Sequence, residues 1–407
     1  MRESDLWAAG ALRAADRAEP GGDGDDHAGR VRAALPGDRG GDLRGGDPLV
    51  DGVASPRGGA DAASGALPGG GERAPGGGGA DGDLERAFRG AGGGRGPRFD
   101  AALPGGGYAW WYLDALSDDG RLGLTIIAFQ GAVFSPHYFR ERQEAGAGAV
   151  DPLRHCGINV AVYGRGQGLW VLSEYGRRDV EREAEAMAVG GSWIGWEGDA
   201  LVVRFDERTA VGGRRVSGEV RLRPSATFDA PVRLDGRGRH VWWGVAPHAR
   251  VEVELRRPGA LRFTGAGYHD TNFGAEPLED GFAAWQWARV SGAGRTAVIY
   301  DAQRRDGTAL RLGRVFGADG SLGECEAPRE VRLGRTRWWV PRSTRCDAGG
   351  DARVVRTLED TPFYARSEIA ADLAGARTVG VHEALSLDRF VRPVVQRMLG
   401  YRIRRVT

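Results

Sequence analysis

Short apolar runs, several of them alternating with polar residues, follow one another from Tyr108 to near the end of the chain. Residues 251–255 alternate at a period of two, as a strand with one solvated face does. Gly, Asp and Asn separate the runs, and residues 117–120 have the composition of a hairpin turn whose glycine can adopt positive φ. The pattern therefore predicts a β protein.

Fourteen strands are predicted from these runs, and many short strands at regular spacing are typical of antiparallel barrels. Helical spacing is confined to residues 181–188 and 388–403, and Pro393 makes the second of these helices imperfect. Fourteen strands suit two barrels better than one, so we predict β domains over 97–257 and 258–385, followed by a tail over 386–407. The predicted strands are residues 108–116, 122–129, 157–163, 169–174, 201–206, 218–223, 249–255, 261–265, 282–290, 297–302, 309–316, 352–358, 364–369 and 377–383.

Residues 1 to 96 have a different composition, with one Trp, one Phe and neither Ile nor Tyr. Such a segment buries too little apolar area to offset chain entropy, so we expect it to be disordered. Its glycines at 69–79 follow no apolar strand, which argues against a phosphate loop. Because GC-rich DNA encodes Ala, Gly, Arg and Pro in any frame, we hypothesise a mis-annotated extension and a natural start near Arg98. N-terminal sequencing of the native protein tests this hypothesis.

Composition excludes several classes of function. The net charge is +1, so no global field attracts nucleic acid. Cys156, Cys325 and Cys346 are too few and too widely spaced for a disulfide framework or a thiolate zinc site. The sequence has no apolar run of transmembrane length and no apolar region of a secretory signal. We therefore expect a reducing compartment.

Two neighbouring segments, 239–243 and 267–274, bring an acid, two imidazoles, a phenol and two indoles into the β region. This set suits the delivery of a proton to an apolar substrate and the stabilisation of a cation by aromatic faces. The alternative to a functional site is a purely structural role, in which the Asp forms a turn and the indoles pack in the core. A metal site of His240, His269 and Asp270 is conceivable by ligand type, although adjacent residues of a strand project to opposite sides.

Two more acids, Asp114 and Glu174, stand in otherwise apolar predicted strands. They could form a paired acid and base. Core ion pairs with nearby arginines are the interpretation that we favour.

Long motifs carry a resemblance to a known family: residues 104–112, 127–129 with 133–136, 159–164 and 267–278. They resemble the acyclic carotenoid 1,2-hydratases, or hydroxyneurosporene synthases, of photosynthetic bacteria. The resemblance extends from about Phe99 to the end of the chain and leaves the first 96 residues outside. It implies a two-lobed, lipocalin-like fold and the addition of water to the terminal C1=C2 double bond of neurosporene or lycopene.

The family pattern also implies roles for individual residues. Asp270 would donate the proton, and burial would keep its carboxyl protonated. Trp242 would face the cation, while His240 and Tyr268 would position water and accept its proton. We expect no cofactor and no metal. Five more aromatic residues are expected to bind the substrate: Trp243, Trp285, Trp287, Tyr108 and Trp111.

The expected partners are an acyclic carotenoid and water. Because a polyene resides in the bilayer, the basic, amphipathic residues 386–407 favour a peripheral contact with the cytoplasmic side of an intracytoplasmic membrane. A C-terminal helix packed on the barrel is the alternative. Two other classes of function fit a β protein rich in Trp: a lipocalin-like carrier of polyenes or lipids, and a carbohydrate-active protein with two exposed carboxylates.

Overall fold

The computed structural model of the protein describes residues 81–90, 95–164, 168–292 and 294–406. Most of them form strands, every predicted strand overlaps an observed one, and the prediction of an all-β fold is confirmed. The helices are α1 (Asp81–Arg89), α2 (Pro136–Ala145), α3 (Leu278–Gly281), α4 (Leu387–Phe390) and α5 (Pro393–Arg402). The strands are β1 (Tyr108–Ser117), β2 (Gly123–Gln130), β3 (Cys156–Tyr163), β4 (Leu169–Tyr175), β5 (Val180–Arg182), β6 (Ala186–Val189), β7 (Ser192–Glu197), β8 (Ala200–Arg208), β9 (Arg215–Pro224), β10 (Val232–Arg233), β11 (His240–Arg257), β12 (Leu261–Gly274), β13 (Phe282–Gly292), β14 (Arg295–Arg304), β15 (Ala309–Gly317), β16 (Leu322–Glu324), β17 (Arg329–Arg335), β18 (Pro341–Cys346), β19 (Ala352–Asp360), β20 (Tyr364–Leu373), β21 (Ala376–Ser386) and β22 (Ile403–Arg405).

The larger sheet has 13 strands in the order β22-β4-β3-β2-β1-β12-β11-β9-β8-β7-β6-β5, with β10 beside β11. Its pairs are antiparallel, except that β22 runs parallel to β4. The predicted boundary at residues 257 and 258 falls in the turn of the β11–β12 hairpin, and the chain leaves this sheet only after Gly274. A hairpin turn and a domain linker share the same local composition, which is why the sequence pattern misplaced the boundary.

The second sheet has seven strands in the order β16-β15-β14-β13-β21-β20-β19, and β17 and β18 form a separate hairpin. An apolar core lies between the two sheets and contains Trp110 of β1, Trp242 of β11 and Trp285 of β13. Their sequence neighbours Trp111 and Trp243 belong to a different core, within the larger sheet. Strands β1 and β11 therefore serve two cores at once, because successive side chains of a strand point to opposite faces.

A buried ion cluster connects the two sheets. Asp114 of β1 contacts the guanidinium groups of Arg289 on β13 and Arg366 on β20. Burial alone would raise the pKa of Asp114, but the two arginines hold it below its usual value. Removing one partner of such a buried pair costs about 3–5 kcal/mol, so this cluster fixes the sheets relative to each other.

Glu174 belongs to a different cluster, in which its Oε1 lies 2.5 Å from His155 Nδ1 and 2.5 Å from Arg405 Nη1. Each of the two acids singled out in the strands thus pairs with arginine. The ion-pair interpretation of Asp114 and Glu174 is confirmed, and the alternative of a paired acid and base was wrong.

Two helix predictions differ from the structure. Residues 181–188 lie mostly in strands β5 and β6, where Met187 and Val189 are buried and their neighbours are not, so a period of two was mistaken for a helical period. The predicted helix over 388–403 is divided into α4 and α5, because Pro393 begins a new helix.

Helix α1 corrects the prediction of disorder for residues 1–96. Leu84 and Phe88 are buried in the core of the larger sheet, and the Phe88 ring stacks on Phe273 at 4.0 Å. They lie four positions apart, so both project from one face of the helix. The prediction was wrong for residues 81–90, whereas residues 1–80 and 91–94 lie outside the described part.

Candidate active site

Asp270 lies in the middle of the larger sheet, on β12, and its side chain points toward the second sheet. Its Oδ2 atom accepts a hydrogen bond of 2.7 Å from the hydroxyl of Tyr268, two residues earlier on the same face. The indole N–H of Trp242, on the neighbouring strand β11, donates a second bond of 2.7 Å to the same oxygen. All three side chains are buried. The structure therefore brings together three of the four predicted catalytic residues.

The carboxyl of Asp270 is an acid suited to neutral pH. Burial raises its pKa from 3.8 to about 7, although the hydrogen bonds from Tyr268 and Trp242 act in the opposite direction. The negative charges of Glu383 and Asp114 add to the upward shift. Both of the described donors that touch the carboxyl are uncharged, so no ion pair with a residue of the described ranges compensates for burial. A large fraction of Asp270 is therefore protonated at neutral pH.

Asp270 lines a small inner cavity of about 30 Å³. At about 10–15 Å³ for each water molecule, this cavity has room for about two waters. Aromatic rings, the amide of Asn272 and one further carboxyl form its remaining walls. The lining residues are Trp110, Tyr112, Asp270, Asn272, Trp285, Trp287, Tyr300 and Glu383.

A larger outer cavity of about 110 Å³ adjoins the inner one, since Trp110, Tyr112, Trp285 and Glu383 line both. Most of its other lining residues are apolar or aromatic. At its far end it reaches α5 and the start of β22, where Arg402 contributes to the lining. An extended apolar ligand could thus enter past the C-terminal elements and place one end beside Asp270.

The predicted substrate-binding residues divide into two groups. Trp285 and Trp287 line the inner cavity, while Tyr108 stacks behind the cavity wall on Trp110, with ring centroids 5.1 Å apart. Trp111 and Trp243 lie in the core of the larger sheet. The prediction that these two bind substrate was wrong, because strand alternation turns them away from the cavity.

Five residues of the inner cavity were missed by the sequence analysis: Trp110, Tyr112, Asn272, Tyr300 and Glu383. Trp110 and Tyr112 share the face of Tyr108 on β1, so alternation from Tyr108 could have identified them. Tyr300 and Glu383 come from distant strands of the second sheet. No local pattern marks those two.

His240 does not line the inner cavity. Its Nδ1 lies 3.0 Å from the Tyr108 hydroxyl, and its Nε2 lies 3.4 Å from Oε1 of Glu276. A Cβ at Gly281 would come within 2.2 Å of Nε2, so glycine is needed there for the ring to fit. His240 pairs with Gly274, about 13 Å along β12 from Asp270. A role of His240 in positioning water stays a prediction.

The three potential metal ligands do not converge. His269 projects from the opposite face of β12, where its Nδ1–H donates to the carbonyl oxygen of Tyr112 at 2.8 Å. Burial lowers its pKa to about 4. Within the described ranges, no group of three or more His, Cys, Asp or Glu side chains is arranged to hold a metal ion.

These features define a class of protein: an all-β protein whose aromatic cavity ends at a buried carboxylic acid of raised pKa. Comparison with known families then gives a particular assignment. Residues 126–407 match the family model described as carotenoid hydratase CrtC, and the chain belongs to that family.

Curated relatives agree with this assignment. The chain is 46% identical to the acyclic carotenoid 1,2-hydratase of Thiocapsa roseopersicina and 44% identical to that of Rubrivivax gelatinosus, over the full length of both partners in each case. It is 39% identical to the enzyme of Cereibacter sphaeroides over 69% of this chain and 98% of that one. The first two alignments include residues 1–96, which the motifs had left outside the resemblance.

Proposed function

We propose that this protein is a hydratase that adds water to the terminal C1=C2 double bond of acyclic carotenoids such as neurosporene and lycopene. The observation that carries the proposal is the buried Asp270, whose raised pKa and position at the end of an aromatic cavity suit a proton donor to an apolar substrate. The names of the relatives, acyclic carotenoid 1,2-hydratases, support the same substrate class.

An isolated alkene offers no carbonyl to polarise, so the reaction begins with protonation of carbon. The π electrons of C1=C2 take the Asp270 proton and form a C2–H bond, which leaves a tertiary cation at C1 and a carboxylate on Asp270. The tertiary cation lies among the indole rings of Trp285 and Trp287, and cation–π attraction in such a dry site is worth about 2 kcal/mol. Water then forms the C1–O bond and gives a tertiary alcohol.

Tyr268 and Trp242 stabilise the Asp270 carboxylate that this proton transfer produces. Their hydrogen bonds to Oδ2 favour the carboxylate that Asp270 becomes. Tyr268 remains a donor throughout, because burial and the neighbouring Asp270 charge raise its own pKa well above the usual value. The carboxyl is thus held in one orientation before and after it loses its proton.

The competing classes of function fit the site less well. A carrier of polyenes needs the apolar cavity but gains nothing from a buried acid. A carbohydrate-active site needs two solvent-exposed carboxylates that face each other, whereas Asp270 is only 3% exposed. Chemistry at Asp270 is what separates the present proposal from both.

The direct test is incubation of the purified protein with lycopene or neurosporene in detergent, followed by mass spectrometry. We expect products heavier by the mass of one water, with the new hydroxyl at C1. Stoichiometric binding of the polyene with no mass change would instead indicate a carrier.

The rate of hydration should fall as pH rises through about 7. Asp270 must be protonated to act, and burial places its pKa in that region. The check is a pH profile of kcat/KM, which reports the ionisation of the free enzyme. A rate that remains flat from pH 6 to pH 9 would exclude Asp270 as the titrating acid.

We also propose that the protein collects its substrate as a peripheral protein on the cytoplasmic side of the membrane. Among the residues that the structure describes, no helix has the length and apolar character needed to cross a bilayer. Four large side chains are nevertheless exposed on the C-terminal elements and on the β17–β18 turn. We call these four residues the docking surface: Trp338 (41%), Trp339 (66%), Val394 (61%) and Tyr401 (73%).

Hydrogen bonds of Arg389 connect the docking surface to a segment that lines the outer cavity. Arg389 of α4 donates hydrogen bonds to the carbonyl oxygens of Trp338 and Trp339 and also to that of Pro362. Pro362 lies between Thr361 and Phe363, which line the outer cavity.

Exposed arginines accompany the apolar side chains: Arg335, Arg337, Arg392 and Arg397. Exposed indoles beside cations match an anionic bilayer surface. The polyene would then pass from the bilayer into the outer cavity past this surface.

Flotation with lipid vesicles tests this contact. Wild-type protein should bind vesicles of phosphatidylcholine with phosphatidylglycerol, and the double variant Trp338→Ser/Trp339→Ser should bind at least about tenfold more weakly, because two indoles no longer enter the interface. Val211→Ser is the matched control, since Val211 is equally exposed (66%) in the turn between β8 and β9. Unchanged binding of the double variant would exclude the docking surface.

A further inference from the structure

A second carboxyl lines the inner cavity, and it belongs to the second sheet, whereas Asp270 belongs to the larger one. Glu383 lies on β21 of the second sheet and lines both cavities. Its side chain retains 16% exposure, although its strand neighbours His382 and Ala384 are buried. Neither the family pattern nor the sequence analysis assigned it a role.

The surroundings of Glu383 differ from those of Asp270 in one decisive respect. Oε1 of Glu383 forms an ion pair with Nη1 of Arg366 and lies 3.2 Å from the hydroxyl of Tyr112. Asp270 accepts bonds only from uncharged donors among the described residues. An adjacent guanidinium favours the ionised carboxyl, so Glu383 has beside it a positive charge that stabilises its carboxylate, whereas the described donors to Asp270 are uncharged.

We propose that Glu383 is the base that accepts a proton from the attacking water. This inference rests on the proposed hydration. As a lone pair of the water oxygen forms the C1–O bond, one O–H bond of that water breaks and its proton passes to a Glu383 carboxylate oxygen. The product is the neutral tertiary alcohol, with Glu383 protonated and Asp270 ionised.

The cycle closes by transfer of that proton from Glu383 back to Asp270. Both carboxyls line the same cavity, which has room for about two waters, so a bound water can carry the proton. Burial raises the pKa of Glu383, and the attraction of Arg366 opposes that shift. The negative charge of Glu383 in turn raises the pKa of Asp270. Two like charges in one buried cavity disfavour each other, so the pair holds a single proton.

The other candidates for this base fit less well. The hydroxyl of Tyr268 is already committed to Asp270 as a donor. His240 contacts Tyr108 and Glu276 and does not line the inner cavity. Among the described side chains that line the inner cavity, Glu383 is the carboxyl available in addition to Asp270, and Glu359 lines the outer cavity alone.

The test compares Glu383→Gln with wild type for lycopene hydration. An amide cannot accept the proton, so we expect kcat to fall by about 10²–10⁴ while KM changes little. Glu279→Gln is the matched control, because Glu279 forms a buried ion pair with Arg142 at 2.6 Å outside both cavities. It should retain wild-type turnover for each folded molecule.

Rescue separates a base from a structural ion pair. Formate, which can occupy the space left by Glu383→Ala and accept a proton, should restore part of the turnover of that variant. More than a tenth of wild-type turnover in folded Glu383→Gln would overturn the proposal, and so would a Glu383→Ala enzyme that formate does not accelerate. Hydration by the wild-type enzyme is measured in the same experiment, so failure of this proposal is distinguishable from failure of the proposed function.

Discussion

Replacing Asp270 with asparagine is expected to reduce the turnover of lycopene by at least about 10²–10⁴, the usual contribution of a general acid. The amide has nearly the same shape and can keep the hydrogen bond from Tyr268, but it has no acidic proton to give to C2. The loss should exceed this range if no other group in the cavity can protonate the alkene.

The stability of the same variant provides its control. The pKa of Asp270 is raised from 3.8 in the unfolded chain to about 7 in the folded one. The folded state therefore binds more protons between these values, and the free energy of unfolding decreases as pH rises from about 4 to about 7. At pH 8 the Asp270→Asn variant has no buried charge and should unfold at an equal or higher temperature than wild type.

Together, turnover and stability distinguish loss of the acid from loss of the fold. A variant that is stable at pH 8 but inactive identifies Asp270 as the acid. If the folded variant keeps more than a tenth of wild-type turnover, Asp270 is not the proton donor.

In the β11–β12 hairpin, the alternation was visible in the sequence where one face is wet and was lost where both faces are buried. Residues 249–255 of β11 alternate, but the preceding residues 240–247 are buried without exception, so their period of two is invisible in the sequence. The same holds for the end of β12 from Gly267 onward. These continuous buried segments are the ones that hold Trp242 and Asp270.

The site was predictable within a strand and not between sheets. Tyr268 and Asp270 are two residues apart, so their common face follows from strand geometry alone. Glu383 and Tyr300 reach the cavity from the second sheet, and nothing in their local sequence reveals which face of the first sheet they meet. Pairing of distant strands fixes that, and one sequence contains no record of it.

The difference between Trp110 and Trp111 shows how much one residue of register matters. Trp110 lines both cavities, whereas Trp111 is buried in the core of the larger sheet against Phe99 at 4.6 Å. The motif that suggested the family contains both indoles, but the motif cannot say which of them faces the ligand. Register decides between function and packing at this position.

The second large effect is expected at Trp242, whose indole N–H contacts the acid directly. Trp242→Phe keeps a ring in place but removes a hydrogen bond to the carboxylate that forms during proton transfer. Hydrogen bonds to charged groups contribute about 1.5–3 kcal/mol, so we expect a rate about tenfold to a hundredfold lower. Trp242→Ala should lose nearly all activity, because it also leaves a cavity beside Asp270.

The pH profile identifies the cause of that loss. The Trp242 bond favours ionised Asp270, so without it the pKa of Asp270 should rise and the falling limb of the profile should move to higher pH. Trp243→Phe is the matched control, since Trp243 is adjacent, equally buried and bonded through its N–H to the carbonyl of Phe228. It should lose stability without moving the profile. If Trp242→Phe lowers the rate and leaves the limb in place, the indole acts through its face on the cation, as the family pattern implies. Unchanged turnover for each folded molecule in Trp242→Ala would make Trp242 a packing residue.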